Sequence, residues 1–173
     1  MAIREEAEER KFIEKLIRLN RVSKAVKGGR KMSFGALMVV GDGRGRVGYG
    51  FGKANDVAEA IRKSVEKAKG RIMRVPIKRN TLPHEIIGEY KSASVLLKPA
   101  APGTGIIAGG PVRAIMEAVG VRDVLSKSLG SKNTMNIVKG VFNGLENLMT
   151  PKEIASGRKK SVMEMWGNDA KKS

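Results

Sequence analysis

Over residues 4–20 the apolar positions recur at helical intervals. Phe12, Ile13, Leu16 and Ile17 gather on one side and charges occupy the other, which predicts a first helix. The pattern then changes to strict alternation. Met32, Phe34, Ala36, Met38 and Val40 alternate with Ser33, Gly35, Leu37 and Val39, a strand whose second face is apolar enough to need cover on both sides. Asp42-Gly43, inside the turn-rich run Gly41 to Gly45, closes a hairpin, and Arg46 to Phe51 returns as the next strand. Asn55 or Asp56 caps a helix, with Glu59 three residues after Asp56 in a capping-box arrangement. Val57, Ile61, Val65 and Ala68 form its buried stripe and Gly70 ends it. Counting Val22 to Val26 as a strand, the order is helix, three strands, helix.

A basic link, Arg71 to Asn80, leads onward, and Pro76 and Pro83 disfavour helix around it. Ile86-Ile87 and Ser94 to Leu97 read as strands, after which Pro99, Pro102 and Gly103-Thr104-Gly105 interrupt the pattern. Gly109-Gly110-Pro111 opens a helix, with the proline where a missing N–H costs least. Val112, Ile115, Met116 and Val119 face inward and Gly120 stops it. Val121 to Leu129 reads as a strand, and Thr134 to Met149 as a helix with Ile137, Val141, Leu145 and Leu148 in its stripe and Pro151 beyond its end. From Lys152 the chain is polar and basic and is expected to be extended. These periods predict an α+β fold class built as two small domains of about 70 residues each. Their expected bounds are 1–75 and 76–150, with a basic tail at 151–173.

Charge turns the question from architecture to partner. The 173 residues carry 34 Lys and Arg against 17 Asp and Glu, a net charge of +17, and the pI is about 10.4. That balance is the electrostatic footprint of a nucleic-acid binder. Between positions 21 and 53 stand Arg21, Lys24, Lys27, Arg30, Lys31, Arg44, Arg46 and Lys53, with Asp42 the single acid and nine glycines among them. Arginine and lysine neutralise phosphate, and glycine admits a partner close to the backbone. Because these cations flank apolar, strand-like runs, they differ from an ordinary solvated charge tract. No basic amphipathic anchor and no apolar run of roughly 20 residues is present, so no membrane partner is expected. The Glu-rich N-terminus is unlike a secretory signal, and zero cysteines remove disulfides and thiolate zinc sites. The expected location is the cytoplasm.

Several motifs fail on context. Gly43-Arg44-Gly45-Arg46-Val47-Gly48 satisfies G-x-G-x-x-G, but a dinucleotide site needs that pattern to open directly into a helix, and here it runs into Tyr49-Gly50-Phe51. A P-loop fails at Val47 and at Ala54 after Lys53. Val47 to Gly52 approaches the RNP1 strand of RNA-recognition motifs, yet Val47, Gly52 and Ala54 depart from it, so Tyr49 and Phe51 are expected to pack inside the sheet. Ala108 to Pro111 ahead of a helix is either an anion seat or tight loop packing. His84 is the lone histidine and is expected to be structural; no triad or nucleophile elbow exists. No enzyme chemistry, cofactor, metal or small-molecule substrate is expected.

Asn20 to Val57, NRVSKAVKGGRKMSFGALMVVGDGRGRVGYGFGKANDV, resembles the signature of the universal fifth protein family of the small ribosomal subunit, in its bacterial form. GTGIIAGGPVRAIMEAVGVRDVLSKSLGSKN (Gly103 to Asn133), NGLENL (Asn143 to Leu148) and KSVMEMWG (Lys160 to Gly167) extend the resemblance in order. Pro111, where many members have another residue, departs from it. The resemblance implies an N-terminal α-β-β-β-α unit like the double-stranded-RNA-binding fold and a C-terminal β-α-β-α unit. It implies a structural and assembly role in the small subunit, with small-subunit ribosomal RNA, messenger RNA at its entrance pore, and the fourth and eighth small-subunit proteins as partners. An influence on decoding accuracy is also implied. The family's Lys-Gly-Gly-Arg hairpin loop lies here at Arg21 to Lys31, and the resemblance assigns Arg21, Val22, Ser23, Lys24, Lys27, Gly28 and Arg30 to ribosomal RNA. Gly29, Lys31, Arg44, Arg46 and Lys53 join them as expected contacts on charge and position.

The expected mechanism is recognition of folded RNA by shape and phosphate. A free DNA-binding or architectural protein, favoured by charge alone, leaves the nearly neutral second unit without a purpose. A nucleotide-using enzyme rests only on the glycine pattern.

Overall fold

The computed structural model describes residues 11–166. The N-terminal unit consists of β1 (Ile13–Val26), β2 (Gly29–Gly41), β3 (Arg46–Ala54), α1 (Val57–Lys69) and β4 (Met73–Arg74). Its antiparallel sheet has the order β1-β2-β3-β4. The expected helix over 4–20 is overturned within the described residues: residues 13–20 are strand, and residues 4–10 lie outside them. The period misleads because the strand is apolar on both faces: Phe12 packs in the α1 cluster and Ile17 in the core opposite, and residues four apart share a face in a strand as in a helix. Pairing slips by one residue between Leu16 and Arg18, so Leu16 and Leu19 both point to the α1 side although they stand three apart. Val22 to Val26 is the outer half of this same strand, and the unit runs β-β-β-α-β among the described residues.

The sheet is covered on both faces, as the apolar alternation of β2 requires. On one face Met38 and Val40 pack with Val65 and Ala68 of α1, and Ala36 and Ala54 with Ala60. Close approach there depends on Gly48, Gly50 and Gly52 of β3. A Cβ on each would fall 2.3, 2.0 and 2.2 Å from the carbonyl oxygens of Ala68, Ser64 and Ala60. The glycines of the Tyr49-Gly50-Phe51 strand therefore admit a helix and not a nucleic acid.

The C-terminal unit contains β5 (Ile86–Tyr90), β6 (Ala93–Pro99), β7 (Ile106–Ile107), α2 (Gly110–Val119), β8 (Val124–Ser128), α3 (Thr134–Glu146), α4 (Pro151–Gly157) and α5 (Val162–Trp166). Its sheet order is β5-β6-β8-β7, antiparallel except for the β7–β8 pair that α2 connects. The α3 helix seats on β5 through Gly88, whose missing Cβ would lie 2.1 Å from Gly140 O. Residues 151–157 are helix where an extended tail was expected. Thr150 and Glu153 form a reciprocal capping box with Pro151 in the first turn, a start signal that outweighs the polar composition. Of the family-like stretch Lys160 to Gly167, residues 162–166 form α5, and residues 167–173 lie outside the described residues.

The two units share one core. Leu37, Val39 and Val47, on the sheet face opposite α1, pack in a single cluster with Ile115, Met116, Val119, Val141 and Phe142. The Tyr49 ring meets Phe142 with centroids 4.6 Å apart. At the seam, Gly43 N–H donates to Ala118 O (3.0 Å) and Gly45 N–H to Val119 O (2.8 Å), so the β2–β3 turn caps the last carbonyls of α2.

Candidate nucleic-acid interface

Beyond Phe34 the β1–β2 ribbon leaves its sheet. Phe34 pairs with Arg21 on one side and with Ala54, the last residue of β3, on the other. From Val22 to Ser33 there is no third strand, so the ribbon projects roughly 17 Å, five residue pairs at strand rise. Pairing persists to Val26–Gly29 and leaves Lys27-Gly28 as the turn. Gly28 has φ +99°, which a two-residue turn of this kind demands at its second position. Every residue from Val22 to Met32 is exposed.

The pleat distributes the cations over both faces. Arg21 and Arg30 lie on the α1 side, with Ser23 and Met32; Lys24 and Lys31 lie on the other, with Val22 and Val26; Lys27 occupies the tip. Lys24 and Lys31 are register partners, a like-charged pair that costs stability in the free ribbon. Among the described residues none of these five cations has a carboxylate within salt-bridge distance. Arg21 Nη2 instead stands 2.8 Å from Met32 Sδ. A two-stranded ribbon is marginal by itself in water, and this one concentrates unpaired positive charge on each side. Polyanion on both faces answers both deficits.

Arg21, Val22, Ser23, Lys24, Lys27, Gly28, Gly29, Arg30 and Lys31 thus fall together on the arm. Lys53 pairs with Gly35 at its base, on the Lys24–Lys31 face. Arg44 and Arg46 do not join them. They occupy the β2–β3 turn at the far end of β2, roughly 40 Å from the arm's tip at strand rise. There Asp42 Oδ1 accepts from Arg44 N–H (2.8 Å) and Arg46 N–H (3.0 Å), shaping the turn, and Arg46 pairs with Arg74. A cavity of about 640 Å³ beside them is lined by Arg44, Arg74, Ile77, Glu146 and Glu153, so its charge is mixed. One basic stretch of sequence therefore forms two separate groups of cations.

The weaker motifs resolve similarly. Tyr49 packs inward on Phe142 as expected, whereas Phe51 is 41% exposed and lies over Gly35. Gly109 and Gly110 have open space around them, so loop packing does not account for these glycines. His84 Nε2 accepts from Met149 N–H (3.0 Å), and its Nδ1 lies 2.8 Å from Glu85 O, which makes it a clasp at the end of α3. Among the described residues no group of three His, Asp or Glu could hold a metal, and no helix is long and apolar enough to cross a membrane.

Sequence reasoning missed the residues that aim the arm, because it assigned their strand to a helix. Arg18, four positions before Val22, donates to Thr134 Oγ1 at the start of α3 (3.1 Å) and to Asn20 Oδ1 (2.9 Å). Lys15 bonds Glu117 of α2, which also accepts from Arg113 Nε (3.1 Å). Lys15 first, then Arg113, holds the Glu117 carboxyl below the usual glutamate range. A carboxyl lowered in the folded state stabilises at pH values above its unfolded value, about 4.3. That contribution is lost as pH falls through the lower folded value. Glu117→Gln should therefore weaken the fold near pH 7, by about 1 kcal/mol or less because the pair is a third exposed. The gap from the parent should narrow as pH falls from 7 towards 3, and urea midpoints at both values measure it. An equal gap at both would show that the lost contacts were not ionic.

Family models match both units in sequence. Residues 12–76 match ribosomal protein S5, N-terminal domain, and residues 88–158 match ribosomal protein S5, C-terminal domain. The chain belongs to the ribosomal protein S5 family. The small ribosomal subunit protein uS5 of Treponema denticola is 58% identical over 159 residues, 92% of each chain. That of Borreliella burgdorferi is 58% identical over 159 residues, 92% of this chain and 96% of its own, and that of Treponema pallidum strain Nichols 57% over 159, 92% of each. A member of the S5 family is a structural component of the small subunit of the cytoplasmic ribosome and not an enzyme, and its RNA partner is ribosomal. The S5 assignment covers both the bare arm and the unit that holds it.

Proposed function

We propose that the protein anchors small-subunit ribosomal RNA by inserting the Arg21–Lys31 arm between two sugar-phosphate segments. The observation that carries this is the arm's two-sided charge: Arg21 and Arg30 on one face, Lys24 and Lys31 opposed on the other, Lys27 at the tip. A protein lying on a single RNA surface needs cations on one face only. Phosphates on both sides satisfy all five and relieve the Lys24–Lys31 repulsion. Recognition is by shape and charge, since half to two-thirds of such contacts typically go to phosphate and sugar.

Family membership and this geometry support a finer reading. The arm and its sheet form the RNA-binding domain, residues 1–75. A second domain spans 76–150 and a basic tail 151–173, and the protein also meets the fourth and eighth small-subunit proteins. Messenger RNA passes the protein at the subunit's entrance pore, and the hold on ribosomal RNA supports assembly and decoding accuracy. Sedimentation of a lysate tests the anchoring role: the protein should travel with small subunits and leave them after RNase treatment. Purified protein should bind ribosomal RNA with a log–log salt slope of roughly −4 to −5 for about six neutralised phosphates. A slope near zero, or co-sedimentation that survives RNase, overturns it.

A further inference from the structure

A second group of cations without carboxylate partners gathers near an aromatic ring on the C-terminal unit. Tyr90 ends β5, and the two-residue turn Lys91-Ser92 leads into Ala93. Lys91 has φ +52°, a conformation uncommon for a residue other than glycine. Lys91 Nζ stands 5.7 Å from the centroid of the Tyr90 ring. From α3, Lys139 Nζ stands 4.8 Å from the same centroid and 3.2 Å from the Tyr90 hydroxyl. The glycine contact between Gly88 and Gly140 makes this reach possible by drawing α3 onto β5. Ser131 N–H donates to Ser92 O (2.8 Å), which brings the loop bearing the exposed Lys132 against the turn bearing Lys91.

Among the described residues, none of these three lysines is paired with a carboxylate. Lys139 bonding also holds the Tyr90 phenol below its usual range, so the hydroxyl is a good donor to an anion. Ammonium groups held near one another repel, and a ring face between them offsets only part of that repulsion. Helix α3 links the cluster to the strand that carries the arm. Arg18 grips Thr134 at the first turn of α3, and Lys139 is five residues further, about 8 Å along the helix.

We infer that Tyr90, Lys91, Lys132 and Lys139 form a second contact for RNA phosphodiester groups, on the C-terminal unit and linked through α3 to the strand that carries the arm. This inference rests on the anchoring role proposed above. RNA that flanks the arm on the Lys24–Lys31 side would continue onto α3, with phosphates seated between Lys91 and Lys139. Two points of attachment on one rigid core would fix the direction in which the arm enters its junction.

The test uses the full chain and a transcript of the small-subunit ribosomal RNA. Lys91→Gln, Lys132→Gln and Lys139→Gln together should lower affinity about 10-fold or more at 0.15 M salt and reduce the salt slope by about 2, at 0.7–0.9 per lost phosphate. In the unaltered protein, bound transcript should shield Lys91 and Lys139 from an amine-reactive label. If the parent fails to bind the transcript, the anchoring role falls and takes this inference with it. If the parent binds and the triple variant matches it in affinity and slope, the second contact alone is refuted. Should the variant lose thermal stability, the labelling decides: shielding supports the contact and full reactivity refutes it. Equal shielding by inorganic phosphate at the same phosphate concentration would refute an RNA site and leave a small-anion site.

Discussion

Replacing Lys24, Lys27, Arg30 and Lys31 together by glutamine is expected to weaken binding to ribosomal RNA about 100-fold or more at 0.15 M salt. The log–log salt slope should become shallower by roughly 3, since each neutralised phosphate contributes 0.7–0.9. The melting temperature should stay within a degree or two of the parent. These side chains are exposed, support nothing in either core, and include the opposed Lys24–Lys31 pair whose removal relieves repulsion. Splitting the set gives a sharper comparison. Lys24→Gln with Lys31→Gln strips one face, and Arg30→Gln with Arg21→Gln strips the other. Insertion between two RNA segments makes both pairs costly by similar amounts. Loss confined to one pair would show that the arm lies flat on a single surface, and a large fall in melting temperature would show that these cations serve the fold. Salt titrations with filter-retained RNA, alongside thermal scans, measure each quantity.

Much of the fold was legible because local patterns carried it. The stripe Val57, Ile61, Val65, Ala68 gave α1, and Ile137, Val141, Leu145 gave α3. The alternation of β2 forecast cover on both faces, which α1 and the C-terminal unit supply. What misled was geometry that only pairing decides. Strand β1 carries apolar residues on both faces, so Phe12, Ile13, Leu16 and Ile17 mimic a helical stripe although Phe12 and Ile17 pack on opposite sides of the sheet. The candidate site was legible in composition but not in space. Eight cations lie within 33 positions of sequence, yet strand β2 carries Arg44 and Arg46 to the end opposite the arm. The Tyr90, Lys91, Lys132, Lys139 group was invisible for the converse reason, since α3 and the β5–β6 turn meet only through the Gly88–Gly140 contact. The glycines of Val47 to Gly52, whose likeness to a nucleic-acid strand fails at Val47, Gly52 and Ala54, serve helix packing.

Gly120→Ala should be the most damaging single small substitution at the seam between the units. Gly120 ends α2 with φ +94°, where its N–H reaches Met116 O (3.0 Å) and Val121 N–H follows to the same carbonyl (3.0 Å). Alanine is disfavoured in that conformation by roughly 1 kcal/mol. Its Cβ would also lie 2.0 Å from Gly43 O and 2.5 Å from Gly43 C. Those are backbone atoms of the β2–β3 turn, so no side chain can swing aside. The turn must lift from α2, and Gly43 N–H and Gly45 N–H then lose Ala118 O and Val119 O. The packing of Leu37, Val39 and Val47 on Ile115, Met116 and Val119 loosens with them. Strain, overpacking and unsatisfied buried groups together suggest a loss of about 3–5 kcal/mol. Gly109→Ala, at the N-cap of the same helix, is the matched control. Nothing stands within 4 Å of its Cβ position and its φ of −64° suits any residue, so the substitution costs only alanine's weaker N-cap preference, about 1 kcal/mol or less. The denaturant midpoint of Gly120→Ala should therefore fall several times further than that of Gly109→Ala. A Gly120→Ala midpoint close to the parent's would mean that the turn is not seated on α2, and the shared core that aims the arm would lose its physical basis.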